Sequence, residues 1–147
     1  MNHNLFAQFS ARFPKQADAV LLETDSGARY TYRDLERITA EWAGFLAGSN
    51  GLGIQPGERV AVQVEKSPQA LFLYLACLRA GLVYLPLNVA YREGEMNHFQ
   101  ADANPVVVVA DPRSLPWLEP LARANGVRHV LTLDETGQGT FVEAASS

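Results

Sequence analysis

The chain has 147 residues, 48% of them hydrophobic and 19% charged, with a formal net charge of −4. That is enough for one ordinary domain with a buried core, in the composition range of soluble globular proteins. The mild acidity and the lack of a basic stripe exclude a nucleic-acid reader, which needs cations to displace phosphate counterions.

Cys77 is the only cysteine, so no internal disulfide forms, which fits a reducing, cytoplasmic compartment. No stretch is apolar for long enough to span a bilayer. The opening MNHNLFAQFSARFP lacks a charged start followed by an apolar core, so no secretory signal is expected. Phe6, Phe9 and Phe13 predict a short amphipathic helix docked on the body, with a transit peptide as the alternative.

Ala19–Thr24 reads as a short strand, Asp25-Ser26-Gly27 as a turn, and Ala28–Thr31 as the returning strand of a hairpin. A helix follows with Thr31 as N-cap and Asp34 at N3, a shorter capping-box acid. Tyr30 and Leu35 stand at the positions of a hydrophobic staple. Leu35, Ile38, Trp42, Phe45 and Leu46 recur at helical spacing and define a buried face.

The glycine-rich segment 48–57 follows a helix and opens a strand. Nucleotide loops have the reverse order, and no GK[ST] ending is present, so this segment reads as a helix stop and turn. Arg59–Glu65 alternates as a strand. Ser67-Pro68 caps and starts a helix that is apolar almost all round from Ala70 to Ala80 and therefore covered on more than one side. Gly81 ends it in a left-handed conformation. Val83–Leu87 is a strand that Pro86 confines to an edge or keeps short.

Arg92–Ala103 predicts a weaker helix with Met96 and Phe99 inward, stopped by Asn104-Pro105. Val106–Ala110 is the kind of run found in a strand buried on both faces. Pro112, Pro116 and Pro120 predict a broken or late-starting helix within 111–125. Arg128–Leu133 reads as a further strand, and Thr140–Ser147 begins a helix. The alternation with short connections predicts an α/β fold, a mostly parallel sheet with flanking helices, in a single domain or subdomain.

No catalytic, cofactor-binding or metal-binding residue emerges from these patterns. His3, His98 and His129 are scattered, without the spacing of metal ligands. Cys77 lies inside the most apolar helix, where a thiol is inert. Glu93 and Glu95 are two apart on a helix and do not face each other, so they read as first-turn acids. Lys66 precedes a helix N-terminus, where an anion could sit, but reads first as a solvated loop charge.

Two stretches are more specific than their physics. YTYRDL (30–35) resembles the first core motif of the adenylate-forming superfamily of acyl-CoA synthetases, luciferases and peptide-synthetase adenylation domains. LRAGLVYLPLN (78–88) resembles its second core motif, and GIQPGERVAVQVEKSPQALFLYLACLRAG (53–81) resembles the usual lead-in. The resemblance covers the chain from Leu5. Asn88, Ala90 and Tyr91 look like the Asn-x-Ala-Tyr of acid–CoA ligases, and residues 63–91 are most similar to malonyl-CoA synthetases.

The resemblance implies the N-terminal part of the adenylate-forming fold. It also implies a two-step reaction, in which a carboxylate attacks the α-phosphorus of ATP and the thiol of CoA then displaces AMP, with Mg²⁺ stabilising phosphate charge. Malonate is the implied acid, ahead of another short or aryl acid. The Lys-bearing phosphate loop, the ribose-binding acid and the catalytic lysine of that family have no counterpart in 1–147. The chain is therefore expected to be the first portion of a longer AMP-binding domain, inactive alone and binding neither ATP, Mg²⁺ nor CoA. Thr31, Gly81, Tyr84 and Pro86 carry over as structural motif positions only. Exposed apolar surface and self-association are expected where the remainder would dock. A non-catalytic α/β interaction module, or one part of a split enzyme, is the competing reading.

Overall fold

The computed structural model describes residues 3–147. Four strands form a parallel sheet in the order β4-β3-β5-β6: β3 (Arg59–Gln63), β4 (Val83–Pro86), β5 (Val107–Ala110) and β6 (His129–Thr132). A separate antiparallel hairpin, β1 (Val20–Glu23) and β2 (Arg29–Thr31), precedes it. Helices α1 (Leu5–Ser10), α2 (Tyr32–Ala47), α3 (Pro68–Arg79), α4 (Glu93–Ala103), α5 (Leu115–Ala124) and α6 (Thr140–Ala145) complete the chain. The α/β architecture expected from the alternation is the one present.

Strand alternation divides the interior in two. Val60, Val62, Val107 and Val109 face one layer with Leu35, Trp42, Leu46, Phe72, Leu73 and Phe141. Ala61, Val108 and Ala110 face the other, with Met96 of α4 and Leu118 and Ala122 of α5. The first layer is aromatic. The Trp42 ring stands edge-on to Phe141 at 5.1 Å and to Phe72 at 6.4 Å, and Tyr30 meets Phe72 at 5.2 Å. Such contacts add to the area buried by large rings.

Local chemistry fixes the element ends. The Thr31 Oγ1 accepts from the Asp34 backbone N–H at 3.1 Å, and the Asp34 carboxylate accepts from the Thr31 N–H at 2.9 Å, closing the capping box. Ser67 Oγ accepts from the Ala70 N–H at 3.0 Å, with Pro68 at the first turn of α3. Gly81 follows with φ +74°, a conformation that an L side chain resists. β4 is an edge strand, as Pro86 requires. The Val83 and Leu87 N–H groups donate inward to Glu58 and Val62, so the alternate residues Tyr84 and Pro86 face outward, and Pro86 has no donor.

α1 docks through Phe6, which is buried; the Arg79 guanidinium lies 4.9 Å from its ring centre and is itself held by Glu36 at 2.7 Å. Asn4 caps α1 and donates from Nδ2 to the Leu78 carbonyl at 3.0 Å. The prolines delay α5: Pro112–Ser114 forms a 3-10 turn, and the helix proper begins at Leu115 and includes Pro120. One side-chain direction differs from expectation. Phe99 is 37% exposed and stacks on Tyr91 at 5.2 Å, while Gln100 takes the buried position beside Met96. Strands β3, β4 and β6 also stop short of their expected ends, at Gln63, Pro86 and Thr132. Among the described residues, no helix is long and apolar enough to cross a membrane.

Candidate functional site

In an open parallel sheet, the crevice outside the carboxyl ends of the strands, where the chain reverses its winding, is the natural place for a ligand. Here the chain moves from β3 outward to β4, then crosses back to β5 and β6. The reversal therefore falls between β3 and β5. A crevice of about 500 Å³ opens there, lined among others by Gln63, Glu65, Arg92, Asp111, Arg113 and Trp117.

Four of these side chains, Gln63, Arg92, Asp111 and Arg113, are placed by local devices. Gln63, at the end of β3, is buried; its Nε2 donates to the carbonyls of Asn88 at 2.8 Å and Tyr91 at 3.0 Å, pinning the 88–91 turn to the sheet. Its Oε1 accepts nothing from the described residues. Asn88 Oδ1 in turn accepts from the Ala90 N–H at 2.8 Å, a side-chain turn that explains an asparagine here. Arg92 folds back on this turn, donating from Nη1 to the carbonyls of Val89 and Tyr91, both at 3.2 Å.

Asp111 follows β5 and caps the 3-10 turn. Its Oδ1 accepts from the Arg113 N–H at 2.8 Å and Nε at 2.9 Å, and Oδ2 accepts from Nη2 at 2.8 Å. The Arg113 side-chain bonds hold the Asp111 carboxyl below its ordinary value although burial opposes this, and the same pairing raises Arg113. The crevice thus offers an amide acceptor, an indole and two guanidinium groups, offset by Glu65 and Asp111. It can position a polar or ring-bearing group.

Other singled-out residues lie apart from it. Cys77 is fully buried and its thiol is pushed up to about 12 by desolvation. His98 is exposed and pairs with Asp102 at 3.2 Å, one turn along α4. His129 lies on β6, where burial, then Arg128 and Arg123, lower its pKa. His3 is exposed before α1, and Lys66 is exposed before α3. Glu95 accepts from the Arg92 N–H at 3.1 Å and serves the start of α4. The described residues contain no group of three or more His, Cys, Asp and Glu able to hold a metal ion.

The glycine-rich segment does not fit nucleotide phosphates. Gly51 and Gly53 N–H groups donate to the Gly48 carbonyl, Leu52 to Phe45 and Ile54 to Leu46. A phosphate cradle needs such donors free. A Cβ at Gly51 would collide with the Phe45 carbonyl, so glycine there serves close chain packing. Segment 48–57 is therefore a helix stop and turn, not a phosphate cradle.

Residues 6–146 match the family described as AMP-binding enzyme. The chain belongs to this family. Among solved structures, ATP-bound MatB from Rhodopseudomonas palustris superimposes with a TM-score of 0.92 and 39% identity, over 100% of this chain and 28% of MatB. Among curated proteins, nonribosomal peptide synthetase 7 of Gibberella zeae is 31% identical over 82% of this chain and 3% of its own length. A long-chain-fatty-acid–CoA ligase of Yersinia pestis is 31% identical over 71% of this chain and 18% of its own length. The chain thus spans less than a third of each of these proteins.

The crevice was not visible in the sequence. Its residues come from three separated segments, 63–65, 89–92 and 111–117, and no spacing rule links them. The one signal was the family's Asn-x-Ala-Tyr, whose Asn88 and Tyr91 carbonyls turn out to be what Gln63 holds.

Proposed function

We propose that this chain is the N-terminal portion of an ATP-dependent acid–CoA ligase with malonate as its acid. In this reading it supplies the scaffold of an AMP-binding domain, and the groups that hold ATP phosphates, Mg²⁺ and the reacting carboxylate lie in the remainder. The observation that carries it is the likeness to MatB over the full 147 residues at 39% identity. The crevice at the ends of β3 and β5 is then one wall of a ligand site that other segments complete. A cytoplasmic location accords with the lone buried thiol.

The test is complementation in trans. Alone, the purified chain is expected to show no malonate-dependent ATP–pyrophosphate exchange. Co-expressed with the part of Rhodopseudomonas palustris MatB that follows the matched segment, it is expected to restore malonate- and CoA-dependent AMP release. Exchange by the 147-residue chain alone overturns the scaffold assignment. A complemented enzyme that prefers an aryl or long-chain acid over malonate overturns the substrate.

The similarity to peptide synthetases supports a second reading, in which the acyl group passes to a carrier-protein thiol instead of CoA. Release of AMP that needs a carrier protein and ignores CoA would favour it.

A further inference from the structure

Asn-Gly occurs twice in the chain, at 50–51 in the turn between α2 and β3 and at 125–126 in the turn between α5 and β6. A glycine after asparagine leaves the next peptide nitrogen unshielded by a side chain, so that nitrogen can reach the asparagine Cγ. The two turns share a main-chain bond: the Gly51 N–H donates to the Gly48 carbonyl at 3.0 Å, and the Gly126 N–H to the Arg123 carbonyl at 3.1 Å. Their asparagine side chains differ. Asn125 Nδ2 donates to Asn97 Oδ1 at 2.9 Å and to the Leu121 carbonyl at 3.0 Å, which pins its carboxamide. Asn50 is exposed, and its carboxamide has no hydrogen-bond partner among the described residues.

We propose that Asn50-Gly51 is a self-modifying site, at which Asn50 deamidates through a succinimide and loosens the join between α2 and β3, while Asn125 is protected. Attack requires the Gly51–Gly48 bond to open, a local event in an exposed turn. The Gly51 nitrogen then gives its proton to a solvent base and bonds to Asn50 Cγ; the Cγ–Nδ2 bond breaks and ammonia leaves. Water opens the cyclic imide at either carbonyl, giving aspartate or isoaspartate. The net change is amide plus water to carboxylate plus ammonium, with no oxidant and no second protein. Both products place an anion just after the C-terminus of α2, where the helix dipole opposes it and Glu41 lines the same hollow. Isoaspartate also lengthens the main chain of a turn in which Gly51 already packs against the Phe45 carbonyl and the Ile54 N–H is tied to Leu46. The site does not depend on the ligase reading, because it shares no residue with the carboxyl-end crevice.

The test incubates the folded 147-residue chain in mildly alkaline buffer and follows the peptides that contain residues 50 and 125 by mass spectrometry with an isoaspartate assay. Asn50 is expected to convert at least about tenfold faster than Asn125, where two side-chain bonds must break first. In guanidinium-unfolded chain the two pairs are expected to convert at similar rates, which assigns the difference to the fold. Asn97→Ala removes one partner of Asn125 and is expected to speed conversion there while leaving Asn50 unchanged; the comparison within the unmutated chain stands should this variant unfold. The converted protein is expected to unfold at a lower guanidinium midpoint than the fresh one. Folded Asn50 converting no faster than Asn125, or staying intact over a period that converts the unfolded chain, would overturn the modification site. Unchanged Asn125 conversion in folded Asn97→Ala would overturn the protection, and an unchanged midpoint would overturn the loosening.

Discussion

The two faces of the central sheet are built differently. The face under α2 and α3 is closed by rings: Phe72, Trp42 and Phe141 pack edge-on, and the buried Thr39 hydroxyl donates to the Leu35 carbonyl at 2.7 Å. The face under α4 and α5 is lined by smaller residues, Ala61, Ala110 and Ala122. It holds Gln63, whose Oε1 accepts nothing from the described residues, and Gln100, neither of whose amide atoms has a partner among them, and the carboxyl-end crevice opens beside it. Filling with large side chains yields stability. Small side chains leave room for polar groups and for ligands, at some loss of stability. The first face is filled, and the second is the more open of the two.

Mutations on the two faces should therefore differ in sign as well as size. Phe72→Ala removes a fully buried ring from the filled face and is expected to lower stability by about 3–5 kcal/mol, read from urea midpoints. Gly81→Val should cost about 1–3 kcal/mol through backbone strain at φ +74°. Space is not the reason, since the nearest atom to a Cβ there is Pro56 Cβ at 3.7 Å. An unchanged midpoint for this variant would contradict the left-handed assignment. Thr31→Ala opens the capping box at the start of α2 and is expected to cost about 1 kcal/mol.

On the open face the direction reverses. Gln100→Leu is expected to raise stability by about 1 kcal/mol, because an unpaired amide is replaced by an apolar side chain. A destabilised variant would mean that Gln100 has a partner in solution. The smallest effect concerns pH. Asp111 has its pKa lowered by Arg113, so the pair's contribution is fully present above the ordinary aspartate value of 3.8 and is lost as pH falls through the folded value. Asp111→Asn should flatten that part of the stability–pH curve in acid-unfolding experiments, and an unaltered curve would remove Asp111 from the account.

Much of the scaffold was legible because its signals are local. Thr31 with Asp34, Ser67 with Pro68, Gly81 and the prolines of 112–120 each act within a few residues, and each was read correctly. The position of β5 also followed from composition, since a run of valines suits only a strand covered on both sides. α4 was harder. Phe99 and Gln100 are adjacent, and a weakly amphipathic helix gives hydrophobicity little power to choose its inner face. The tertiary fold puts the glutamine inside and leaves Phe99 to stack on Tyr91. The carboxyl-end crevice was illegible for a topological reason, since its walls meet only when the chain reverses between β3 and β5.

Pro86 on β4 has a consequence for behaviour at high concentration. A stray strand laid along that border would find the Tyr84 N–H as the lone outward donor within β4, because the next outward position is a proline. Sheet growth from copy to copy would lose the ladder bond that a donor at position 86 would give, so this margin is a weaker seed for fibrils although Leu71 and Val83 are exposed.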